Sequence, residues 1–357
     1  MLVSLLVFLI VLSVLIFVHE LGHFLAAKRM GVKVTEFGFG YPPRLWGKKI
    51  GETVYSINLI PFGGFARLYG QDEEVSQEVE RAFYSQSKLR RAVIVVAGVV
   101  MNVVLGVVCF AVVYSRMGIP EPLGVVKIVG VAEGSPAAVA GLQPEDEVVA
   151  VKKEEWQPVK TNAEFISLVE EARGSTLVLR IKRGEEVKEV AVRVRTEEET
   201  PEGEGALGVV IKDTVLRFYS PPLMWLKGIE AGLEEALAWG GMIVADVLKM
   251  VGRLFQGEVP KEVAGPVGVF QATATVRKEG WLAVVQFMGI LSINLAVLNM
   301  LPIPALDGGW LVFLFLENIW GERQRKIERL ASQIGFALLI FLMLLVTLND
   351  VRRLLGR

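Results

Sequence analysis

Four stretches of this chain carry no charged side chain, and they constrain its fold more than any other feature. They cover residues 1–18, 92–115, 281–306 and 330–349. A helix needs about 20 apolar residues to cross a bilayer. The first stretch contains no basic n-region and is followed by no small-x-small cleavage site, which favours a retained membrane helix over a signal peptide. The sequence therefore predicts a polytopic α-helical membrane protein with about four transmembrane helices.

The loop between the first two spans, residues 28–91, is rich in basic residues. It holds eleven lysines and arginines, and cytoplasmic loops of membrane proteins carry an excess of both. We therefore expect this loop in the cytoplasm. The N-terminus and residues 116–280 would then lie on the opposite side of the membrane. The formal net charge of the chain is −1, so charge gives no indication of a nucleic-acid partner.

The same loop contains two segments typical of β-strands. Residues 32–40 and 54–60 are rich in β-branched and aromatic side chains, and turn-forming residues lie between them. The segment PFGGF, which includes Gly63 and Gly64, then indicates a turn into another short strand. We expect a small membrane-associated β-sheet beside the first helix.

Residues 120–213 have the pattern of an inserted, β-rich soluble domain. Short strand-like runs alternate with turn residues, and a helix is predicted at 162–172 with Thr161 or Asn162 as its cap. The segment GSPAAVAGLQPED resembles the PDZ family of peptide-binding domains, with Glu145 where that family usually has glycine. PDZ domains capture a peptide by adding it to a sheet edge. The alternative is a small β-rich domain without a peptide ligand.

The resemblance to PDZ domains also predicts where a peptide would bind. It places the groove at Gly124, Val125 and Val126, and a peptide C-terminus is the possible ligand.

Residues 223–255 mix apolar and charged side chains at helical spacing. This pattern predicts an amphipathic helix on the membrane surface, within a connecting region at 214–280. A soluble packing helix is the alternative.

The chain has two histidines, and both belong to the segment His19-Glu20-Leu21-Gly22-His23 at the end of the first span. On a helix, HExxH places both imidazoles on one face, where they can hold one zinc ion. The glutamate between them can act as general base on water. The alternative is a set of polar residues that snorkel from a helix end to the membrane surface.

A catalytic zinc ion usually has three protein ligands. The chain has no third histidine, and Cys109, its only cysteine, lies in mid-span, where packing is the commoner role. Asp307 is the only acidic residue in 281–316, and it follows a helix-breaking segment with Pro302 and Pro304. A carboxylate at membrane depth needs a partner, so Asp307 is the favoured third ligand.

Together these segments resemble the site-2 protease family of intramembrane zinc metalloproteases, in particular its bacterial regulator of sigma-E protease type. The matching text is HELGH, the element NMLPIPALDGG at 299–309, the PDZ-like stretch, and GPVG at 265–268. The resemblance implies that His19, His23 and Asp307 bind Zn²⁺ and that Glu20 activates water.

The resemblance further implies a substrate-binding set. Asn294 and Asn299 would engage an unwound substrate, and Pro302 and Pro304 would shape the adjoining loop. The sheet of the basic loop would clamp substrate as an added strand. The substrate-binding residues are then Asn294, Asn299, Pro302, Pro304, Gly63 and Gly64.

The resemblance also divides the chain and places it in a bacterial inner membrane. Residues 1–119 would form the first half of the protease core, 120–213 a single PDZ domain, and 281–357 the second half of the core, with 214–280 connecting them. The best-known Gram-negative member has two tandem PDZ domains, so substrate filtering would differ here.

The predicted function is regulated intramembrane proteolysis of single-span membrane proteins. The expected substrates are already shortened by another protease, such as anti-sigma factors or signal-peptide remnants. The rival hypothesis is a non-catalytic, membrane-anchored PDZ scaffold with a vestigial or structural metal site. A closed structural zinc site needs a fourth protein ligand, for which Cys109 is the one candidate.

Overall fold

A computed structural model describes residues 1–71, 77–201, 203–256, 265–320 and 324–354. The chain forms two compact units. The first combines Met1–Arg116 with Pro221–Arg357, and the second is Met117–Ser220. The helices in chain order are α1 Leu2–Arg29, α2 Lys88–Met117, α3 Pro136–Val139, α4 Asn162–Glu171, α5 Pro221–Phe255, α6 Pro266–Glu279, α7 Trp281–Asn299, α8 Asp307–Trp320 and α9 Gln324–Leu354.

The first unit contains the membrane helices. Four helical segments in the described ranges are long and apolar enough to cross a bilayer, namely Leu2–Arg29, Lys88–Met117, Trp281–Asn299 and Ile327–Arg352. They coincide with the four uncharged stretches, which confirms the prediction of a four-span helical membrane protein.

Glycine permits close packing of α1 against α2. A Cβ atom added to Gly22 would overlap the backbone of Ala97, and one added to Gly98 would overlap the side chain of His23. Small residues let membrane helices approach closely, so van der Waals contacts replace the missing hydrophobic driving force. This contact fixes the height of the HELGH motif relative to α2.

The basic loop forms a sheet of two long antiparallel strands, β1 Val34–Ile50 and β2 Thr53–Leu68. Residues 36–39 of β1 have partners on both sides, 54–57 on one and 64–67 on the other, and Val34 pairs with Leu68. Residues 64–68 therefore form an edge of the sheet. Phe37 packs its ring against Phe24 of α1, with ring centroids 4.7 Å apart, which anchors the sheet to the first span.

The third apolar stretch does not continue as one helix. α7 ends at Asn299, and a turn leads into α8, which begins at Asp307. The two prolines in this turn cannot supply helical N–H donors, and Ala305 has a left-handed φ of 81°. Gly308 lies against the carbonyls of Met300 and Leu301, where a Cβ would overlap both. The broken helix thus projects Asp307 from the first turn of α8.

The predicted helix at 223–255 is present as α5, and its inner face packs on other helices of this unit. Gly228 and Gly232 lie against the backbone of α2 at Ala111. Ala236 joins Ile293 of α7 in a buried cluster. A location on the membrane surface stays a prediction.

Two polar contacts fix other helix ends in the first unit. The buried guanidinium of Arg91, near the start of α2, donates to both carboxylate oxygens of Glu317 in α8, at 3.0 and 2.7 Å. Asp350 of α9 accepts hydrogen bonds from the backbone N–H groups of Gly265 and Gly268, at 3.0 and 2.9 Å, which caps the start of α6.

The second unit is a six-stranded sheet with α3 and α4. The strand order is β7-β6-β4-β3-β8, with β5 paired to β4. Of the two caps that the sequence allows for α4, Thr161 is the one present, and it forms a capping box with Glu164. The strands are β3 Ile119–Val131, β4 Glu147–Lys152, β5 Trp156–Pro158, β6 Thr176–Arg183, β7 Glu186–Arg193 and β8 Val209–Arg217.

The residues predicted to form the PDZ groove lie inside this sheet. Gly124, Val125 and Val126 belong to β3, which lies between β4 and β8. Val126 is fully buried and pairs with Val148 of β4. Gly124 and Val125 lie between the paired segments of β3 and have no strand partner in its register, so a peptide groove at these three residues stays a prediction. The edge strand on that side of the sheet is β8.

An ion pair closes the turn before β4. Asp146 has a buried carboxylate that accepts hydrogen bonds from the Arg183 guanidinium, at 2.6 and 2.7 Å, and from the backbone N–H of Gln143. Burial alone would raise the pKa of Asp146, but these hydrogen bonds outweigh it and hold that pKa below its usual value.

Candidate metal centre

Three potential metal ligands converge in the first unit. His19 and His23 lie one turn apart on α1, and Asp307 opens α8. Nε2 of His19 lies 3.1 Å from Nε2 of His23 and 3.1 Å from Oδ2 of Asp307, and the His23 and Asp307 atoms are 3.5 Å apart. This is the one cluster of three or more His, Cys, Asp or Glu ligands found among the described residues.

The spacing of these atoms fits zinc. Zinc binds imidazole nitrogen and carboxylate oxygen at about 2.0–2.2 Å in a tetrahedron, which puts neighbouring ligand atoms about 3.3 Å apart. The three separations between ligand atoms, 3.1, 3.1 and 3.5 Å, are each close to that value. Oδ2 of Asp307 is also buried with no hydrogen-bond donor in the described part of the chain. A buried carboxylate oxygen without a donor is costly unless a cation compensates it, so these residues fit the metal.

A backbone contact sets the protonation of His23. Its Nδ1 lies 2.8 Å from the carbonyl oxygen of Ile94 on α2. A carbonyl only accepts hydrogen bonds, so Nδ1 carries a proton, and in the neutral imidazole the lone pair is then on Nε2. That lone pair faces the cluster, as metal-binding histidines require.

Asn102 makes the corresponding contact to His19. This fully buried residue of α2 has its carboxamide nitrogen Nδ2 3.2 Å from Nδ1 of His19, and its Oδ1 has no hydrogen-bond partner in the described ranges. Exchanging the two ends of the carboxamide lets Oδ1 accept from Nδ1–H and leaves the Nε2 lone pair of His19 free for metal. Our sequence reasoning missed Asn102, although a lone carboxamide within an uncharged span is a signal of function.

Glu20 is held beside this cluster by the sheet. Its Oε2 accepts a hydrogen bond of 3.0 Å from the backbone N–H of Ala66, in the edge segment of β2. A backbone N–H donates one ordinary hydrogen bond, so this group points away from β1 and toward α1. The arrangement brings a carboxylate, three potential metal ligands and a free strand edge to one place.

The residues predicted to bind substrate differ in their distance from the cluster of potential metal ligands. The carboxamide nitrogen of Asn299 lies 3.4 Å from Nε2 of His19, so Asn299 adjoins the metal ligands. Asn294 is half-buried on α7. Pro302 is exposed in the turn, and the carbonyl of Pro304 lies so close to Gly335 of α9 that a Cβ there would overlap it.

The remaining candidates have packing contacts. Gly63 has a φ of 66° and lies against Ile16 of α1, where a Cβ would overlap the isoleucine side chain. Gly64 lies against the carbonyl of Gly38. Gly63 therefore holds the edge segment close to α1, and Gly64 holds it close to β1. Cys109 is buried, is not part of the ligand cluster, and packs against α7.

Comparisons with known proteins agree with this geometry. The model of peptidase family M50, the site-2 proteases, matches residues 7–342. The regulator of sigma-W protease of Bacillus subtilis is 30% identical over 436 residues, covering 97% of this chain and 98% of the relative. A zinc metalloprotease of Geobacillus kaustophilus is 30% identical over 431 residues, covering 98% of each. The chain thus belongs to the M50 peptidase family and is an intramembrane zinc metalloprotease.

Proposed function

We propose that His19, His23 and Asp307 hold the catalytic Zn²⁺ and that Glu20 is the general base. The observation that carries this proposal is the convergence of three ligand atoms, at 3.1–3.5 Å from one another, beside that carboxylate. When bound, zinc supplies a Lewis acid that polarises the scissile carbonyl and acidifies water.

The chain's own residues then move one proton. The Glu20 carboxylate takes a proton from the attacking water, whose oxygen bonds to the peptide carbonyl carbon. The same proton passes to the leaving nitrogen as the C–N bond breaks. Ile94 and Asn102 keep the two imidazoles in the tautomers that present Nε2.

The substrate is an extended segment rather than a helix. A helix uses its own carbonyl groups in internal hydrogen bonds, so it must unwind before a peptide bond can reach the base and the metal ligands. Residues 64–68 of β2 offer a free edge beside Glu20, and strand addition there would hold the unwound segment. Asn299 borders the same space.

The substrates are single-span membrane proteins that another protease has already shortened. The Bacillus subtilis relative is named a regulator of sigma-W protease, which supports anti-sigma factors as one class. Signal-peptide remnants are a second class of single-span substrate.

The second unit is a PDZ domain that screens these substrates. It excludes bulky outer domains or takes a peptide C-terminus. Its free edge, β8, adjoins α4, because Asp213 of β8 accepts a hydrogen bond from the backbone N–H of Asn162. We therefore place a PDZ peptide site along β8.

The basic segment 28–91 orients the protein in a bacterial inner membrane. The HELGH end faces the cytoplasm, and the PDZ domain at 120–213 lies outside. Residues 1–119 and 281–357 are the two halves of the protease core, and 214–280 connects them to the PDZ domain.

Glu20→Gln tests the catalytic assignment. Purified variant should retain about one zinc per chain, because no proposed ligand is altered, and should cleave a single-span substrate lacking its outer domain at least about 100-fold more slowly. Glu198→Gln, an exposed glutamate of the second unit, is the matched control and should behave as wild type. Wild-type cleavage by Glu20→Gln would refute the role of Glu20.

A further inference from the structure

The helix that carries the two histidines, α1, and its neighbour α2 bound an apolar groove. One face of α1 and one face of α2 line it, including Gly22, Leu25, Val93, Ala97 and Val100. Its volume is about 490 Å³, within the roughly 300–1,000 Å³ of small-molecule sites. None of the metal-facing side chains lines it, so the groove is separate from the site of hydrolysis.

Two arginines lie at the end of this groove where the membrane span stops. Arg29 lines the groove directly and is exposed. α1 and α2 run antiparallel with Gly22 against Ala97, so seven residues further along α1, Arg29 is level with Arg90, seven residues back on α2. Arg90 precedes Val93 by three positions and therefore lies on the same side of α2.

Neither arginine has a carboxylate partner among the residues that the structure describes. Arg90 donates to the neutral side-chain oxygen of Gln86, at 3.0 Å. The basic residues next to them in sequence do have carboxylate partners, since Lys28 shares Glu52 with Arg81, and Arg91 shares Glu317 with Lys88. Net positive charge is therefore left at this end, and Arg29 and Arg90 carry part of it at the mouth of the groove.

We propose that the groove binds one anionic phospholipid, with an acyl chain along its apolar walls and the phosphate between Arg29 and Arg90. Guanidinium groups bind phosphate oxygens in a bidentate fashion, and basic pockets between membrane helices bind anionic head groups. A free phosphate ion would leave the apolar walls without a partner. A helix of a second copy would leave both guanidinium groups without an anion.

The test is retention of lipid by the full-length protein in neutral detergent, measured by native mass spectrometry. The probes are phosphatidylglycerol and phosphatidylcholine, which differ in head-group charge. Wild type should retain one phosphatidylglycerol per chain with about 30-fold preference, as expected for two cations near an anionic surface. Excess inorganic phosphate should not displace it.

Two independent variants separate the charge from the groove. Arg29→Gln combined with Arg90→Gln should reduce phosphatidylglycerol retention to the phosphatidylcholine level. Val100→Trp keeps both arginines, fills the groove, and should abolish retention of either lipid. Arg116→Gln, at the other end of α2, and Val104→Trp, at an exposed position outside the groove, are the matched controls and should bind like wild type.

The proposal is overturned if wild type retains both lipids equally, or if both arginine substitutions leave phosphatidylglycerol retention unchanged. It is also overturned if the protein appears as a lipid-free dimer. Zinc content checks that each variant is folded, and the readout is independent of proteolysis. Failure here therefore leaves the catalytic assignment intact, and failure of that assignment leaves lipid binding intact.

Discussion

Gly98 offers the sharpest test of how the helices set the metal centre. It lies on α2 directly under both imidazoles, and a Cβ at this position would lie 2.5 Å from Nε2 of His23 and 2.8 Å from Cε1 of His19. Nonbonded heavy atoms prefer about 3.5–4.0 Å. Gly98→Ala must therefore displace the His23 ring, or separate α1 from α2, by about 1 Å.

That displacement is large on the scale of the site. Metal–ligand distances are held within about 0.2 Å, and a misplacement of 1 Å can lower turnover about 100-fold. We expect Gly98→Ala to lose zinc to a mild chelator and to lower kcat/KM about 100-fold or more. Overpacking should also cost about 1–3 kcal/mol of stability.

The assay compares zinc stoichiometry after chelator treatment with cleavage of a single-span substrate. Gly241→Ala is the matched control, because Gly241 lies in α5 with open space around its Cβ position. It should leave both measurements unchanged and add up to about 1 kcal/mol of helix stability. Wild-type zinc retention and cleavage by Gly98→Ala would refute the geometry described for the metal centre.

Three further predictions concern contacts away from the ligands. Arg183→Gln should destabilise the second unit by about 1.5–3 kcal/mol at pH 7, measured by hydrogen exchange. Since the pKa of Asp146 is lowered in the folded state, this contribution is present above about pH 4 and is lost as pH falls through the folded pKa, so the stabilities of wild type and variant should converge once the pH is below that pKa. Arg91→Met and Glu317→Gln should each lower the melting temperature, with a coupling of about 0.5–3 kcal/mol in a double-mutant cycle, and additive effects would contradict a direct pair. Asp350→Ala should speed amide exchange at the start of α6, whose two capped N–H groups lose their acceptor, and unchanged exchange there would contradict the cap.

The sequence was most informative where one physical requirement dominates. Uncharged length alone predicts the four spans, because hydrocarbon excludes charge. Helical periodicity places His19 and His23 on one face. The need to compensate a carboxylate at membrane depth predicts that Asp307 lies near them, although 284 positions separate it from His23.

Contacts between distant segments could not be predicted in the same way. Asn102 and Gly98 act on the ligands only because α2 packs against α1 at one particular height, which no periodicity specifies. The groove prediction at Gly124, Val125 and Val126 follows a local motif, whereas strand order decides which strands are edges, and here these are β7 and β8.

The hydrogen bond from Ala66 to Glu20 has a thermodynamic consequence. The amide has one hydrogen, so it can serve the Glu20 carboxylate or the carbonyl of a strand added at residues 64–68, but not both at full strength. The two equilibria are therefore linked, and each partner weakens the affinity of the other by the same factor. A peptide that pairs along all of residues 64–68 takes the N–H of Ala66 and so releases the Glu20 carboxylate. A peptide that pairs only at the two ends of this segment leaves that N–H bonded to Glu20. Well-seated and poorly seated peptides therefore differ in whether the Glu20 carboxylate is free, before any bond is broken.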